Sequence, residues 1–157
     1  MKTIPVLKRR REGITDYHKR YVLLKSGEIR AVIRPSNKGV MIQFTEYVPE
    51  GDHVMITVTD KSVKKEYGVS GNNIQIFYLS GYLAGKKAIE KGIESAILDT
   101  GRYKFMHGGR LSAALKGMID SGIDIPSDEN VFPDESRLNG DHLKNKIDLA
   151  KYIEKGV

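Results

Sequence analysis

Three features of the chain predict an α/β fold. Three successive runs alternate apolar with polar residues and are joined by Gly/Pro/Asn turns, the pattern of antiparallel strands. Two later stretches repeat their apolar residues at helical spacing. A short apolar run between those two reads as a further strand. The order β-β-β-α-β-α gives a mixed sheet: an antiparallel three-stranded meander, a crossover helix, a parallel strand and a second helix.

Taken in order, the chain opens on a basic arm, "LKRRREGITDYHKRYVLLKSG". Tyr17, Tyr21 and Leu24 recur there at helical spacing, and Ser26-Gly27 ends the segment. Ile29, Ala31 and Ile33 alternate with Arg30, Val32 and Arg34 before the turn "RPSNKG". Val40, Ile42 and Phe44 alternate with Met41, Gln43 and Thr45 before "VPEGDH", and Val54, Ile56 and Val58 alternate with Met55, Thr57 and Thr59. Asn72 or Asn73 then caps a helix. Phe77, Gly81, Ala84 and Ala88 mark one of its faces, small enough to lie close against a sheet, and Gly92 stops it. "ESAILD" is a short buried strand, and a strand after a helix implies a right-handed parallel crossover. After "TGRYKFMHGG", Leu111, Ala114, Leu115, Met118 and Ile119 trace the apolar stripe of the second helix, ended by Gly122. An acidic, Pro-containing extension follows, and "DHLKNKIDLAKYIEKG" closes the chain as a short helix. The organisation is therefore a basic arm (1–26), an α/β domain (27–122) and an acidic, then helical, C-terminal extension (123–157).

The 157 residues suffice for one domain that buries roughly two-thirds of its unfolded surface. There is no cysteine, which excludes disulfides and thiolate zinc sites and fits a reducing compartment. Apolar runs are too short to span a membrane. No apolar segment with a small-residue cleavage site follows the first residues, so secretion is not expected. The net charge of +6 is unevenly laid out: residues 1–38 carry a net +8, and residues 120–141 a net −6. Charge segregated in this way suits an element that binds a polyanion.

Several enzymatic patterns fail on chemistry. Gly81-x-x-x-Gly85-Lys86-Lys87 echoes a phosphate loop but lacks its spacing and its Ser/Thr, and it falls within a helix. His18, His53, His107 and His142 show no metal-ligand spacing. Asp60 and Asp99 end two strands in an order shared with ribonuclease-H-like nucleases, which hold two metal ions on clustered carboxylates. Here the first strand brings Arg30 and Arg34 where such a site wants an acid. Neither catalysis, a metal nor a cofactor is expected. A metal-dependent nuclease remains the enzymatic alternative.

The arm admits a solvated tail, a transit peptide or a membrane-surface helix. Glu12 and Asp16 interrupt the basic run as a transit peptide would not, and the tyrosines are modest membrane anchors. Nucleic acid suits it better: arginine matches phosphate geometry, and tyrosine stacks on unpaired bases. "GRYKFMHGGR" is a second basic and aromatic stretch, with Arg102, Lys104, His107 and Arg110 around Tyr103 and Phe105. A basic module for another RNA or an anionic membrane stays open as the non-enzymatic alternative.

The segments "KRRREGITDYHKRYVLLKSG", "IRPSNKGVMIQF", "GNNIQIFYLSGYLAGKKAIEKGIESAILD", "AALKGMIDSGIDIP" and "FPDESRLNGDH" together resemble one ribosomal protein family over nearly the whole chain. It is the 5S-ribosomal-RNA-binding family of the large subunit, protein eighteen, in its archaeal and eukaryotic branch. The resemblance implies a ribonuclease-H-like α/β domain without catalysis. It implies a cytoplasmic protein that attaches 5S ribosomal RNA to the large subunit in the central protuberance. There its partners are 23S ribosomal RNA, large-subunit protein five and other central protuberance proteins, and no membrane. The RNA contacts it implies fall on Arg9, Arg10, Arg11, Tyr17, Lys19, Arg20, Lys25, Arg34, Asn37 and Lys38, with Arg102, Lys104, His107 and Arg110 in the loop. Tyr103–His107 departs from the family pattern, and the short chain favours an archaeal member.

Overall fold

The computed structural model describes residues 6–143 and 145–154. Its sheet has four strands, β1 (Arg30–Pro35), β2 (Val40–Glu46), β3 (His53–Thr59) and β4 (Ile97–Asp99), in the order β3-β2-β1-β4. β1–β2 and β2–β3 are antiparallel, and β4 runs parallel to β1. The meander and its parallel return are thus as the alternation predicts. Ala31, Ile33, Ile42, Phe44, Ile56 and Val58 are buried on the face toward the helices. The period of two sends Arg30, Val32 and Arg34 to the opposite face, where β4 places Asp99 opposite Val32.

Two basic helices precede the sheet: α1 (Lys8–Arg11) and α2 (Tyr17–Lys25). Asp16 caps α2 by accepting from the backbone N–H groups of His18 and Lys19, each at 3.1 Å. No residue of α2 is buried, and its apolar side chains do not gather on one face. It therefore has no apolar seam to seat it on the sheet.

The predicted order lacks one element. Between β3 and the crossover lies α3 (Asp60–Tyr67), so the order becomes β-β-β-α-α-β-α. It buries only Val63, with Tyr67 partly buried one turn on, and the sequence reading passes over it. Its signals are at its ends: Thr59 and Ser62 form a reciprocal capping box, and Gly68 closes it at φ 72°.

The crossover helix α4 (Ile74–Glu90) is capped by Asn73, whose side-chain oxygen accepts from the Ile76 N–H at 2.9 Å. It lies between the sheet and α5 (Arg110–Asp120) and is buried nearly all round. Here the sequence expectation needs correction. Gly81 and Gly85 adjoin α5 and the residue that ends it, not the sheet: a Cβ at Gly81 would fall on the Ala114 carbonyl, one at Gly85 on the Ser121 hydroxyl. Gly117 answers from α5, where a Cβ would strike the Tyr78 carbonyl. Glycine on both helices lets the backbones touch.

The run "ESAILD" is divided. Only Ile97–Asp99 joins the sheet; Glu94 and Ala96 instead exchange backbone hydrogen bonds with Asp124, at 2.9 and 3.0 Å. The extension continues through a 3-10 turn at Glu129–Val131 and α6 (Glu135–Leu138) to α7 (Ala150–Glu154). The predicted terminal helix is therefore shorter at its start. Gln75, fully buried, explains why: its amide donates to the carbonyls of Leu138 (3.0 Å) and Ile147 (2.8 Å) and accepts from the Ile147 N–H (3.0 Å). A backbone unit bonded at both ends to a side chain has no partners left for a helix. Residues 1–5 of the arm, residue 144 and residues 155–157 lie outside the described residues.

Candidate nucleic-acid interface

The face of the sheet turned away from α4 carries a chain of charged groups. Arg20 of α2 donates from one Nη to both oxygens of Asp52, each at 3.0 Å. Arg30 donates to Asp52 at 2.6 Å and to Asp99 at 3.0 Å. Arg34 donates to the Asp99 carboxylate at 3.2 Å and to its carbonyl at 2.8 Å, and the Gly101 N–H donates to Asp99 at 2.8 Å. The series Arg20–Asp52–Arg30–Asp99–Arg34 joins the arm, the β2–β3 turn, β1 and β4. Arg30 is its buried centre, 2% exposed. Charge-assisted bonds of this kind hold a carboxylate ionised. Burial alone would raise Asp99, but Arg34, the Gly101 N–H and Arg30 outweigh it and keep its pKa below the ordinary carboxylate range. For Asp52, too, burial acts upward and is overcome by the hydrogen bonds from Arg30 and Arg20. Asp16 is held down mainly by the Lys19 N–H.

Beside this network, between the arm and the turn after β4, lies a cleft of about 430 Å³. Arg9, Lys19, Arg20, Arg34 and Arg102 line it, against the carboxylates Asp16 and Asp99. Lys19 spans it, donating to the Thr100 hydroxyl (3.3 Å) and the Gly101 carbonyl (3.1 Å). Tyr103, 48% exposed, stands on its wall. Cations from three separated segments thus converge on one opening.

The other predicted contacts are dispersed. Arg10 and Arg11 are exposed on α1, make no side-chain bond within the described residues, and do not line the cleft. Lys25 is exposed at the far end of α2. Asn37 and Lys38 are exposed in the β1–β2 turn, which the Ser36 hydroxyl holds by accepting from the Lys38 and Gly39 N–H groups at 3.3 and 3.2 Å. Lys104 and Arg110 line a second, smaller cleft of about 180 Å³ with Tyr103, Phe77 and Met106. His107 is exposed and lines neither. Arg110 is tied locally: its guanidinium lies 5.2 Å from the Phe77 ring centroid and donates to the Asn72 side-chain oxygen at 2.7 Å.

Sequence reasoning missed two parts of the site. Arg30 was read only as a cation standing where a nuclease site wants an acid, because its partners lie 22 and 69 residues away. Asp52 looked like a turn residue. Of the arm's two tyrosines, Tyr17 is half-buried and Tyr21 is 65% exposed. Among the described residues no group of three His, Cys, Asp or Glu side chains could hold a metal ion, and no helix is long and apolar enough to cross a membrane.

The family model for "Ribosomal large subunit proteins 60S L5, and 50S L18" matches residues 5–96, more than half of the chain. The chain belongs to that family. It is 61% identical to the large ribosomal subunit protein uL18 of Picrophilus torridus, over 99% of this chain and 98% of the relative. Against uL18 of Thermoplasma acidophilum the identity is 51%, covering 95% and 92% of the two chains. Against uL18 of Methanobrevibacter smithii it is 41%, covering 96% and 83%. These archaeal relatives are ribosomal proteins, so this uL18-family chain is a structural component of the large ribosomal subunit and not an enzyme. The resemblance read from the sequence is therefore correct, and the matched span includes the cleft residues Arg9, Lys19 and Arg20 of the arm and Arg34 of β1.

Proposed function

We propose that this protein binds 5S ribosomal RNA through the arm and the cleft it forms, and helps to attach that RNA to the large subunit in the central protuberance. Its companions there are 23S ribosomal RNA, large-subunit protein five and neighbouring proteins. One observation carries the reading: five cations from the arm, β1 and the turn after β4 line a single cleft with an exposed tyrosine on its wall. Such a cleft offers donors to a phosphate and a ring face to an unpaired base, the two recognition elements of folded RNA. Arg10, Arg11, Lys25, Asn37, Lys38, Lys104, His107 and Arg110 extend the contact surface beyond it. The order β3-β2-β1-β4, with β4 parallel to β1, supports a ribonuclease-H-like ancestry of the sheet. Asp99, where a nuclease would bind metal, is bonded to two arginines.

The test is a salt-series titration on 5S RNA with an excess of unrelated structured RNA as competitor. Each phosphate neutralised steepens the fall of log affinity with log salt by roughly 0.7–0.9. Changing Arg9, Arg10 and Arg11 to Ala should flatten that slope by about 2–3 units. A triple variant that keeps both affinity and slope overturns the assignment of the arm.

A further inference from the structure

The arm helix α2 has no apolar face, and none of its residues is buried. Its neighbour is the β2–β3 turn, which presents Asp52, half-buried and between two arginines. Arg20 bonds both oxygens of that carboxylate, while Arg30 holds one of them from below at 2.6 Å. Arg30 is itself fixed by Asp99 from β4. The carboxylate is thus rigidly placed by a buried cation and turned toward the arm. A carboxylate so placed does not repel RNA from the site. It sets where the arm stands.

We propose that Asp52 is a positioning residue for RNA binding: with Arg30 as its anchor, it clamps Arg20 and so holds α2 at the angle that opens the cleft between Lys19, Arg9 and Arg102. The inference rests on the RNA-binding reading above and deepens it. Pre-ordering the arm removes part of the ordering entropy from the binding step. The consequence runs against bulk electrostatics, in which removing an acid from a polyanion-binding protein tightens binding. Here removing this acid weakens it.

Three variants separate the possibilities. Asp52→Asn removes the carboxylate. Arg20→Lys keeps the arm's charge, but the lysine nitrogen ends one bond short of the Nη that bonds both Asp52 oxygens, so the clamp is lost or loosened. It also leaves Arg30 paired, so it tests the clamp even where Asp52→Asn compromises folding. Glu50→Gln removes an exposed acid from the same turn and serves as the electrostatic control.

Affinity for 5S RNA should fall by about three- to tenfold in both Asp52→Asn and Arg20→Lys, with the salt slope unchanged, because an ordering step is lost and no phosphate contact. Glu50→Gln should bind as the parent does or more tightly. In the free protein, amide exchange across 17–25 should quicken in both clamp variants, while β1 and β2 keep their protection. Affinity in Arg20→Lys equal to that of the parent overturns the proposal, as does exchange across α2 that stays slow. If the parent shows no preference for RNA, the functional reading fails, and the exchange measurement still decides whether the clamp exists.

Discussion

Arg30 and Asp99, 69 residues apart in sequence, meet at 3.0 Å across the parallel pair β1–β4, with side chains only 2% and 7% exposed. This ion pair occupies the face where the strand order alone would allow a nuclease to gather carboxylates. The arginine turns a candidate metal ligand into a structural counter-ion.

Removing either partner should destabilise the fold, and unequally. Asp99 satisfies Arg30, Arg34 and the Gly101 N–H together, so Asp99→Asn leaves Arg34 without a carboxylate and the buried Arg30 with Asp52 alone. Breaking a buried pair from one side typically costs about 3–5 kcal/mol. Arg30→Met should cost less, because Asp99 keeps Arg34, Asp52 keeps Arg20, and the buried Nε of Arg30 has no partner to lose. Urea unfolding of the two variants checks the order. A larger loss for Arg30→Met would reverse this account of the network.

Acid should unfold the protein by way of the same two carboxylates. Both have native pKa values below the ordinary 3.8, so below that value the unfolded chain takes up protons that the native state refuses. Their contribution is therefore fully present well above pH 3.8, begins to fall as pH approaches that value and is lost as pH falls through the lower native values. Stability against urea should stay level from neutrality to about pH 5 and then drop. The drop should be shallower in Asp99→Asn, which has one such group fewer. Equal steepness in both proteins would assign acid unfolding elsewhere.

Alanine should be harmful at Gly81 and at Gly117. Inside a helix alanine is favoured over glycine by about 1 kcal/mol. At these two positions the added methyl meets the backbone of the facing helix, at Ala114 and Tyr78, and no side chain is there to turn aside. Overpacking should outweigh the propensity gain and leave a net loss of about 1–3 kcal/mol. Thermal melting of each single variant measures it, and a rise in Tm at either site would show that the helices separate cheaply.

The exposed tyrosine of the arm should matter more for RNA than the half-buried one. Tyr21 is 65% exposed, while Tyr17 is half-buried at the start of α2. A base stacked on an aromatic ring contributes about 1–3 kcal/mol. Tyr21→Ala should lower selectivity for 5S RNA over competitor RNA without changing the salt slope, and Tyr17→Ala should do so less. The opposite ranking would return the stacking role to Tyr17.

The sequence by itself determined the meander, the crossover helix and the parallel return. Alternation over β1–β3 and the stripe on α5 are local periodicities, and each dictates which side chains are buried before any partner is known. It also determined that the arm is cationic and aromatic, and it carried enough of the family pattern to be recognised. α3 was not read from the sequence: its apolar pair, Val63 and Tyr67, is a single turn long, too short to stand out as a period. Tertiary structure alone decided the rest. Gly81 was visibly small, but whether it met the sheet or α5 depended on the crossing of two helices. Gln75 carried no sequence signal, and only the fold shows its amide bonding both the N–H and the carbonyl of Ile147 in the extension. Arg30, Asp52 and Asp99 come from three distant segments, and a charge pair leaves no periodic trace in sequence. Only the folded sheet brings them within 3.0 Å, and that contact makes the middle cation an anchor and leaves the outer ones facing the cleft.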